Sequence, residues 1–227
     1  MTDFVEVGQH RVQIKKRKGQ RTIRLRVNTH GEAVLSMPYR YPKYFGASYL
    51  KIKQVWLDKH TFQINQLKDG SQLFTGQKIV VSTEQSTRNK VKDKDGEITF
   101  YLAQPTNSLS SQKYMASKIK KLYIEELTKI IDIKLTHFSE QTGLGYKSFV
   151  VKRLHSKWGS CDRHKNLQFS LYLMGCSNEM IDYVVLHELV HTKHMHHQKE
   201  FWALCKKHMP DYEDRRKQLK KAKMLLI

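Results

Sequence analysis

Cysteine and acidic residues are scarce in this 227-residue chain, and long apolar runs are absent from its sequence. The three cysteines, Cys161, Cys176 and Cys205, form no C-x-x-C pair, so the sequence predicts neither a disulfide framework nor a thiolate zinc site. No segment approaches the ~20 apolar residues of a transmembrane helix, and the amino terminus lacks the order of a secretory signal. We therefore expect a cytoplasmic protein with no membrane partner.

The charge that the chain carries is strongly biased toward one sign. It has 41 Lys and Arg against 21 Asp and Glu, a formal net charge of +20, and both halves share the excess. The bias favours polyanionic partners, including nonspecific nucleic-acid binding, although a solvated basic surface is the simpler explanation. With 39% hydrophobic residues the chain suits one large domain or two small ones, and no pattern in it predicts an oligomeric state.

The amino-terminal third has the alternation that is typical of half-buried strands. Apolar residues alternate with arginines in Thr22–Val27, which predicts a strand with a cationic outer face. A turn at Asn28–Gly31 and a strand at Ala33–Met37 complete a predicted hairpin. After it, apolar residues near helical spacing predict one helix over residues 48–64.

Polar and turn-forming residues divide the chain near its middle. Further strand candidates lie at residues 73–74, 78–81 and 98–102. The polar stretch at residues 82–97 is interpreted as an exposed loop or hairpin tip. The cluster Gln104–Asn107 is the best candidate boundary. We therefore predict a basic, β-rich amino-terminal region with one helix over residues 1–106, followed by a second domain over residues 107–227.

The second region begins with a long amphipathic pattern. Apolar residues recur at three- and four-residue intervals over residues 115–138, which predicts a helix, and Gly143 ends this pattern. Strands are predicted at residues 149–154 and 167–173, on either side of a loop that contains the W-G-S-C sequence at residues 158–161.

Six of the twelve histidines cluster in one segment near the carboxyl terminus. His187 and His191 belong to an H-E-x-x-H sequence on a predicted helix that Ser177 or Asn178 can cap. Positions i and i+4 lie on one helix face, so both imidazoles can bind one metal ion, and Glu188 emerges beside the first of them. This arrangement suits zinc, with the glutamate accepting a proton from an activated water molecule.

A third metal ligand has to come from beyond this helix. A continued helix would place His194 about 10.5 Å along the axis from His187, at ~1.5 Å per residue, which is too far for one ion. The chain is therefore expected to turn at or soon after His191. His197 has the spacing of an H-E-x-x-H-x-x-x-x-x-H site, and it is favoured over His196 and His194. Three histidines leave an open position on zinc, which implies catalysis.

Several segments together resemble one protein family. They are Lys157–Cys161, Tyr183–His191, Phe201–Trp202 and Met209–Tyr212, together with Arg153 and His197. In this combination the chain resembles the YgjP-like predicted metal-dependent hydrolases, which are zincin-type proteins with a looser similarity to the SprT and WLM metallopeptidases that act on DNA-bound proteins. The resemblance is strongest over residues 150–220, and the basic hairpin followed by helices agrees with the family's amino-terminal half.

The resemblance implies a fold and a site. The implied fold class is α+β, with a β-rich amino-terminal half before a zincin-like catalytic domain over residues 107–227 that contains a long helix, a small sheet and the H-E-x-x-H helix. The implied cofactor is one catalytic Zn²⁺ ion. Its ligands would be His187, His191 and His197, with Glu188 as the catalytic base.

Two basic residues near the W-G-S-C loop are candidate substrate or oxyanion contacts. Arg153 and Lys157 can stabilise a developing oxyanion or hold a phosphate, or they are plain surface charges. The family commonly carries an arginine where this chain has Lys157. Trp158 and Trp202 are expected to be packing residues. The predicted strand at residues 167–173 can pair with an extended substrate as an added edge strand.

Three functions fit these features. The leading one is a zinc-dependent metallopeptidase, in which Glu188 activates water and then protonates the leaving amine. A metal-dependent hydrolase of nucleotide phosphoanhydrides fits the charge excess, although the chain has no P-loop sequence. The third is a nucleic-acid-tethered protease, in which phosphates are bound by Lys15–Lys18, Arg21, Arg24, Arg26 and the run Arg215–Lys223. The expected partner is accordingly a peptide or protein substrate, a nucleotide, or nucleic acid.

Overall fold

The structure, a computed structural model, describes residues 3–8, 10–27, 33–60, 67–82, 86–154 and 156–222. The chain folds as two compact units, residues 1–66 and 67–227. The mixture of helices with small sheets confirms the predicted α+β fold class. The first unit contains β1 (Asp3–Val7), β2 (His10–Arg17), β3 (Arg24–Val27), β4 (Ala33–Pro38), α1 (Lys43–Ile52) and α2 (Gln54–His60).

The strands of the first unit form one sheet in the order β1-β2-β4-β3. β3 pairs antiparallel with β4, which confirms the predicted hairpin, and Arg24 and Arg26 on β3 are exposed. The predicted turn at residues 28–31 lies outside the described residues. α1 packs on the apolar face of this sheet, where a Cβ on Gly46 would lie 3.0 Å from Leu35 Cδ2. Glycine therefore lets the helix approach the sheet closely.

The helical segment of the first unit differs from the prediction. α1 begins directly after Pro42, because proline is well accepted at a helix start, where its missing N–H costs no helical hydrogen bond. Lys53 separates α1 from α2, so the prediction of a single helix over residues 48–64 was wrong. The apolar residues Ile52 and Val55 beside the break are largely exposed, so their spacing did not mark a buried stripe. The last four residues of that prediction lie outside the described part of the chain.

The second unit begins with three strands and a long helix, which are β5 (Lys78–Val81), β6 (Lys90–Lys94), β7 (Glu97–Tyr101) and α3 (Leu109–Thr142). It continues with β8 (Ser148–Lys152), β9 (Gly159–Cys161), β10 (Asn166–Ser170) and a 3-10 helix at Leu171–Gly175. It ends with α4 (Asn178–Val190), α5 (Lys199–His208) and α6 (Tyr212–Lys221). Among the described residues, no helix has the combination of length and apolar composition that crossing a bilayer demands.

The division between the units falls after residue 66, whereas the polar cluster Gln104–Asn107 predicts a boundary between residues 106 and 107. Buried residues of β5 and β7 share one hydrophobic core with α3. Gln112 on α3 also bonds both backbone groups of Leu67: its Oε1 accepts from the N–H and its Nε2 donates to the carbonyl, each at 3.0 Å. These contacts attach the segment before α3 to the second unit.

The polar stretch at residues 82–97 contains a strand that the sequence analysis did not identify. β6 pairs antiparallel with β7, and Asp95 and Gly96 connect them with positive φ angles of 53° and 78°. Val91 is the one apolar residue of β6, so alternation gave no signal for this strand. Residues 90–94 are therefore strand rather than loop, and the alternative interpretation as a hairpin tip holds for Asp95 and Gly96. The Asp-Gly pair is itself a strong hairpin signal.

Of the other candidates in this region, residues 78–81 and 98–102 correspond to β5 and β7, whereas residues 73–74 lie at a turn. α3 confirms the predicted long helix and extends it at both ends. The Ser108 hydroxyl caps its first turn by accepting a hydrogen bond from the Ser111 N–H at 3.2 Å. Gly143 ends it in the left-handed region, with φ of 70°.

The sheet that precedes α4 has the order β8-β10-β9. β10 pairs in parallel with β8 and antiparallel with β9, so both of its edges are occupied. The prediction that residues 167–173 form an edge strand for substrate was therefore wrong. The strand ends at Ser170, and the buried apolar residues Leu171–Leu173 form a 3-10 helix. A continuous apolar run does not distinguish a strand from a buried helix.

Candidate metal centre

The H-E-x-x-H sequence covers the last turn of α4 and the C-cap residue His191, and the apolar residues of this helix are almost all buried. The Ser177 hydroxyl caps the helix by accepting from the Met180 N–H. His187 and His191 are one turn apart, and their ring centroids are 4.9 Å apart. The structure thus brings together the first two predicted ligands on one helix face.

The chain turns immediately after α4, as one ion with three histidines requires. Val190 is the last residue of the helix, and the His194 N–H donates to its carbonyl at 3.0 Å. The turn returns His197 to His187, so that their Nε2 atoms are 2.9 Å apart. Ligand atoms of His187, His191 and His197 all lie within 4.8 Å of one another. One ion can therefore contact all three rings.

Hydrogen bonds engage the far nitrogens of two of these rings. His191 Nδ1 donates to the His194 carbonyl at 3.0 Å, which leaves its Nε2 free to bind an ion. The Tyr183 hydroxyl lies 3.3 Å from His187 Nδ1, one turn earlier on α4. Partners of this kind fix the tautomer and orientation of a metal-binding histidine. The Nε2 atoms of His187 and His191 are accordingly the ones available as metal ligands.

Aromatic side chains of α5 support the three imidazoles. The Phe201 ring lies against all of them, with centroid distances of 4.8 Å to His187, 4.6 Å to His191 and 4.7 Å to His197. Trp202 stacks on His197 at 5.4 Å, and its Nε1 donates to the His197 carbonyl at 3.1 Å. The predicted packing role of Trp202 therefore includes holding the third histidine.

Glu188 is buried between α4 and β9. Glu188 is only 6% exposed, and its Oε2 atom has no hydrogen-bond partner among the described residues. A Cβ on Gly159 would lie 2.6 Å from Glu188 Cγ, so the carboxyl group fits there because residue 159 is glycine. Burial raises the pKa of Glu188 to about 8, against a smaller lowering by Lys157. An unpartnered buried carboxyl is costly, and it fits a site that a cation or a water molecule completes.

The three histidines have a low affinity for protons. Burial, followed by the neighbouring imidazoles, lowers the pKa of His187 to about 3. Burial is also the main cause that lowers the pKa values of His191 and His197. Because a metal ion binds the neutral form of imidazole, the site favours the form that binds metal at neutral pH.

The two predicted basic contacts have different surroundings. Arg153 Nε donates to the Tyr172 hydroxyl at 2.9 Å, and its guanidinium lies 5.7 Å from the centroid of that ring. Lys157 is exposed just before β9, and its charge lowers the pKa of Glu188. Lys157 is thus the predicted cation that acts electrostatically on the buried carboxyl group, whereas Arg153 is engaged by a tyrosine.

Two residues of the site were not identified from the sequence. Tyr183 precedes His187 by four residues, so the helical spacing that selected the histidines also points to it. Arg216 of α6 lies over the Trp202 ring, 4.5 Å from its centroid, and its charge contributes to the low pKa of His197. That contact depends on how α6 packs against α5, which sequence spacing does not report.

Comparison with known proteins identifies the family. The family model described as "YgjP-like, metallopeptidase domain" matches residues 21–222. The chain belongs to the YgjP-like family. This finding confirms the resemblance to the YgjP-like family that the sequence analysis stated. Membership in the YgjP-like family supports a metal-dependent hydrolase of the metallopeptidase type, and it implies a catalytic metal.

Two solved structures are similar to part of the chain. The metallopeptidase zymogen jannalysin of Methanocaldococcus jannaschii matches with a TM-score of 0.37 and 17% identity, covering 40% of this chain and 94% of that chain. The metallopeptidase zymogen abylysin of Pyrococcus abyssi matches with a TM-score of 0.36 and 18% identity, covering 42% of this chain and 99% of that chain. No curated protein sequence matches the chain.

Proposed function

We propose that this YgjP-like protein is a zinc-dependent peptidase in which His187, His191 and His197 bind one Zn²⁺ ion and Glu188 is the general base. The observation that carries the proposal is the convergence of three imidazoles, with ligand atoms within 4.8 Å of one another. The residue that follows the first of them, Glu188, is buried. Catalytic zinc sites commonly combine three protein ligands with one position for water or substrate.

The donor set fits zinc better than the common alkaline-earth cations. Imidazole nitrogens suit zinc and related transition metals, whereas calcium and magnesium prefer oxygen ligands. The unpartnered Oε2 of Glu188 agrees with a cation of either kind, because a nearby positive charge stabilises an ionised carboxylate. The preference for zinc rests on the imidazoles. The metal that the family implies is accordingly assigned as zinc.

Glu188 is the group that moves the proton. A zinc ion at the three histidines would polarise the scissile carbonyl and make a nearby water molecule more acidic. Glu188 accepts a proton from that water as the water oxygen attacks the carbonyl carbon, and it then donates the proton to the leaving amine. Because the carboxyl group is buried, bulk water has little access to this transfer.

β9 is the strand that offers an edge to an extended substrate. It pairs with β10 on one side, and no other described strand pairs with its other side. The same strand covers Glu188 through Gly159. A peptide that pairs with the free edge of β9 in an extended conformation therefore passes close to the buried carboxyl group. We accordingly propose an unfolded segment of peptide or protein as the substrate.

The test compares Glu188→Gln with the wild-type protein on an unstructured protein substrate, with metal content measured on both. The substitution keeps the side-chain size and removes the base, so we expect turnover to fall by about 10²–10⁴-fold while bound zinc is unchanged. Glu140→Gln is the matched control, since this exposed glutamate lies at the end of α3. It is expected to retain wild-type turnover.

Two outcomes would contradict the proposal. Unchanged turnover in Glu188→Gln would remove the general base from the mechanism. Chelator-sensitive hydrolysis of a nucleoside triphosphate, without hydrolysis of the protein substrate, would assign the metal centre to phosphoanhydrides instead of peptides.

A further inference from the structure

One face of the sheet in the first unit carries a concentration of positive charge that the metal centre does not use. The cross-strand register places alternate residues of β1, β2, β3 and β4 on the face opposite α1. The cations on this face, all of them exposed, are Arg11, Lys15, Arg17, Arg24 and Arg26. We call these five residues the basic sheet face. Among the described residues of the same face, the one acidic side chain is Glu6, which lies opposite Arg11.

The basic sheet face is a regular array. Lys15 and Arg24 both pair with Ser36 of β4, from opposite sides, so they lie in one cross-strand row. Arg17 follows Lys15, and Arg26 follows Arg24, each by two residues, which is ~6.6 Å along a strand. Neighbouring strands lie ~4.8 Å apart. Cations spaced in this way can contact successive phosphates of one nucleic-acid backbone.

Exposed aromatic rings accompany the cations. Phe4 of β1 is 46% exposed, and the Arg11 guanidinium lies 4.3 Å from its ring centroid. Tyr39, which follows β4, is 59% exposed, and its backbone N–H donates to the Arg17 carbonyl at 3.1 Å. The Lys18 ammonium, next to the basic sheet face, lies 5.9 Å from the Tyr39 ring centroid. Proteins that bind single strands combine aromatic rings, on which unpaired bases stack, with cations that bind the backbone. Bases in a duplex and lipid headgroups do not offer this stacking.

We propose that the basic sheet face binds single-stranded nucleic acid, with phosphates on the cations and bases on the neighbouring aromatic rings. The residues of this surface belong to the first unit, and none of them belongs to the proposed zinc site, so the proposal does not depend on the peptidase assignment. If five phosphates are neutralised, log affinity falls with log salt with a slope of about −3.5, which is about a 100-fold loss between 50 and 200 mM salt.

The experiment measures fluorescence anisotropy of a labelled short oligothymidylate with the full chain. The triple variant K15Q/R24Q/R26Q is expected to bind at least about tenfold more weakly at low salt, and its salt slope is expected to be smaller by about 2. The matched control is K90Q/K92Q/K94Q, which removes the same charge from exposed positions on β6 of another sheet. It is expected to bind within about twofold of wild type.

A second variant tests base stacking separately from charge. Phe4→Leu removes the ring and no charge, so we expect several-fold weaker binding with an unchanged salt slope. Addition of a chelator is expected to leave binding unchanged, which keeps this test independent of the metal centre.

Four results would overturn the proposal. They are no binding at 50 mM salt, an equal loss in the β6 control, equal affinity for polyglutamate, and tighter binding to duplex DNA or to phosphatidylserine vesicles than to the oligothymidylate. An equal loss in the β6 control, or equal affinity for polyglutamate, would show that net charge alone explains the binding. Tighter binding to duplex DNA or to vesicles would assign the basic sheet face to a different partner.

Discussion

The Glu188 carboxyl group fits against the backbone of β9 because Gly159 has no side chain. The peptide bond of β9 therefore lies directly against the proposed general base. The position of the carboxyl group therefore depends on this contact as well as on the backbone of α4, from which the side chain extends. A methyl group at residue 159 would move it.

Gly159→Ala is expected to reduce peptidase activity strongly while leaving bound metal unchanged. The added Cβ would lie 2.6 Å from Glu188 Cγ, so β9 or the glutamate must shift, at a cost of about 1–3 kcal/mol in the free energy of unfolding. Turnover, metal content and chemical denaturation measure the three effects. Gly145→Ala is the control, because no described atom lies within 4 Å of its Cβ. Full activity in Gly159→Ala would show that the carboxyl group does not need this position.

The sequence predicts those site residues whose positions follow from spacing along one helix or turn. It does not predict site residues that meet only through tertiary packing. His187 and His191 follow from the i, i+4 geometry of a helix, and His197 follows from the need for a turn. The closeness of Gly159 to Glu188 arises only after β9 pairs with β10 and α4 packs beneath it. No spacing rule connects residues so far apart in the chain.

At the scale of elements, α3 joins the strands before it to the domain that follows. Gln112 on its first turns makes three hydrogen bonds, two with the backbone of Leu67 and one with the carbonyl of Thr106 at 2.7 Å. Gln112 and Leu67 are both buried, so water does not replace a lost partner.

Gln112→Leu is therefore expected to lower the free energy of unfolding by about 2–4 kcal/mol, because two buried backbone groups lose their partner. Chemical denaturation followed by circular dichroism measures the change. Gln141→Leu, on an exposed position of the same helix, is the control and is expected to change the free energy by less than about 0.5 kcal/mol. Equal stabilities of the two variants would show that the Gln112 hydrogen bonds do not hold the segment.

Elements with a continuous periodic signal were predicted well, and those without one were not. α3 has a long apolar stripe between a serine cap and a left-handed glycine, and all three are visible in the sequence. β6 has no such stripe because it lies at the edge of its sheet with four of five residues exposed. The edge position of β9 was also not predictable, since strand order depends on long-range pairing.

At the scale of the whole molecule, the described residues form two hydrophobic clusters that share no residue. One belongs to the first unit, and the other contains the buried residues of α3, α4 and α5. The sequence predicted the α+β class and a two-part chain. It did not predict the division after residue 66. The segment between residue 66 and α3 belongs to the second unit because of its buried contacts with α3, and composition does not indicate such contacts.

Metal removal is expected to lower the stability of the second unit and to leave that of the first unit unchanged. A ligand stabilises the state that binds it, by about 4 kcal/mol at a thousandfold excess over its dissociation constant. Hydrogen exchange should therefore become faster in α4 and α5 when a chelator is added, while β2 and β4 keep their protection. Faster exchange in β2 and β4 to the same extent would show that the metal is not bound at the three histidines alone.

The most direct test of the central claim is X-ray absorption at the zinc edge on the metal-loaded full chain. We predict three imidazole nitrogens at ~2.0–2.1 Å and one further light-atom ligand, with one imidazole lost in His197→Ala and none lost in His196→Ala. Sulfur at ~2.3 Å, or an imidazole lost in His196→Ala and retained in His197→Ala, would contradict the three-histidine zinc site.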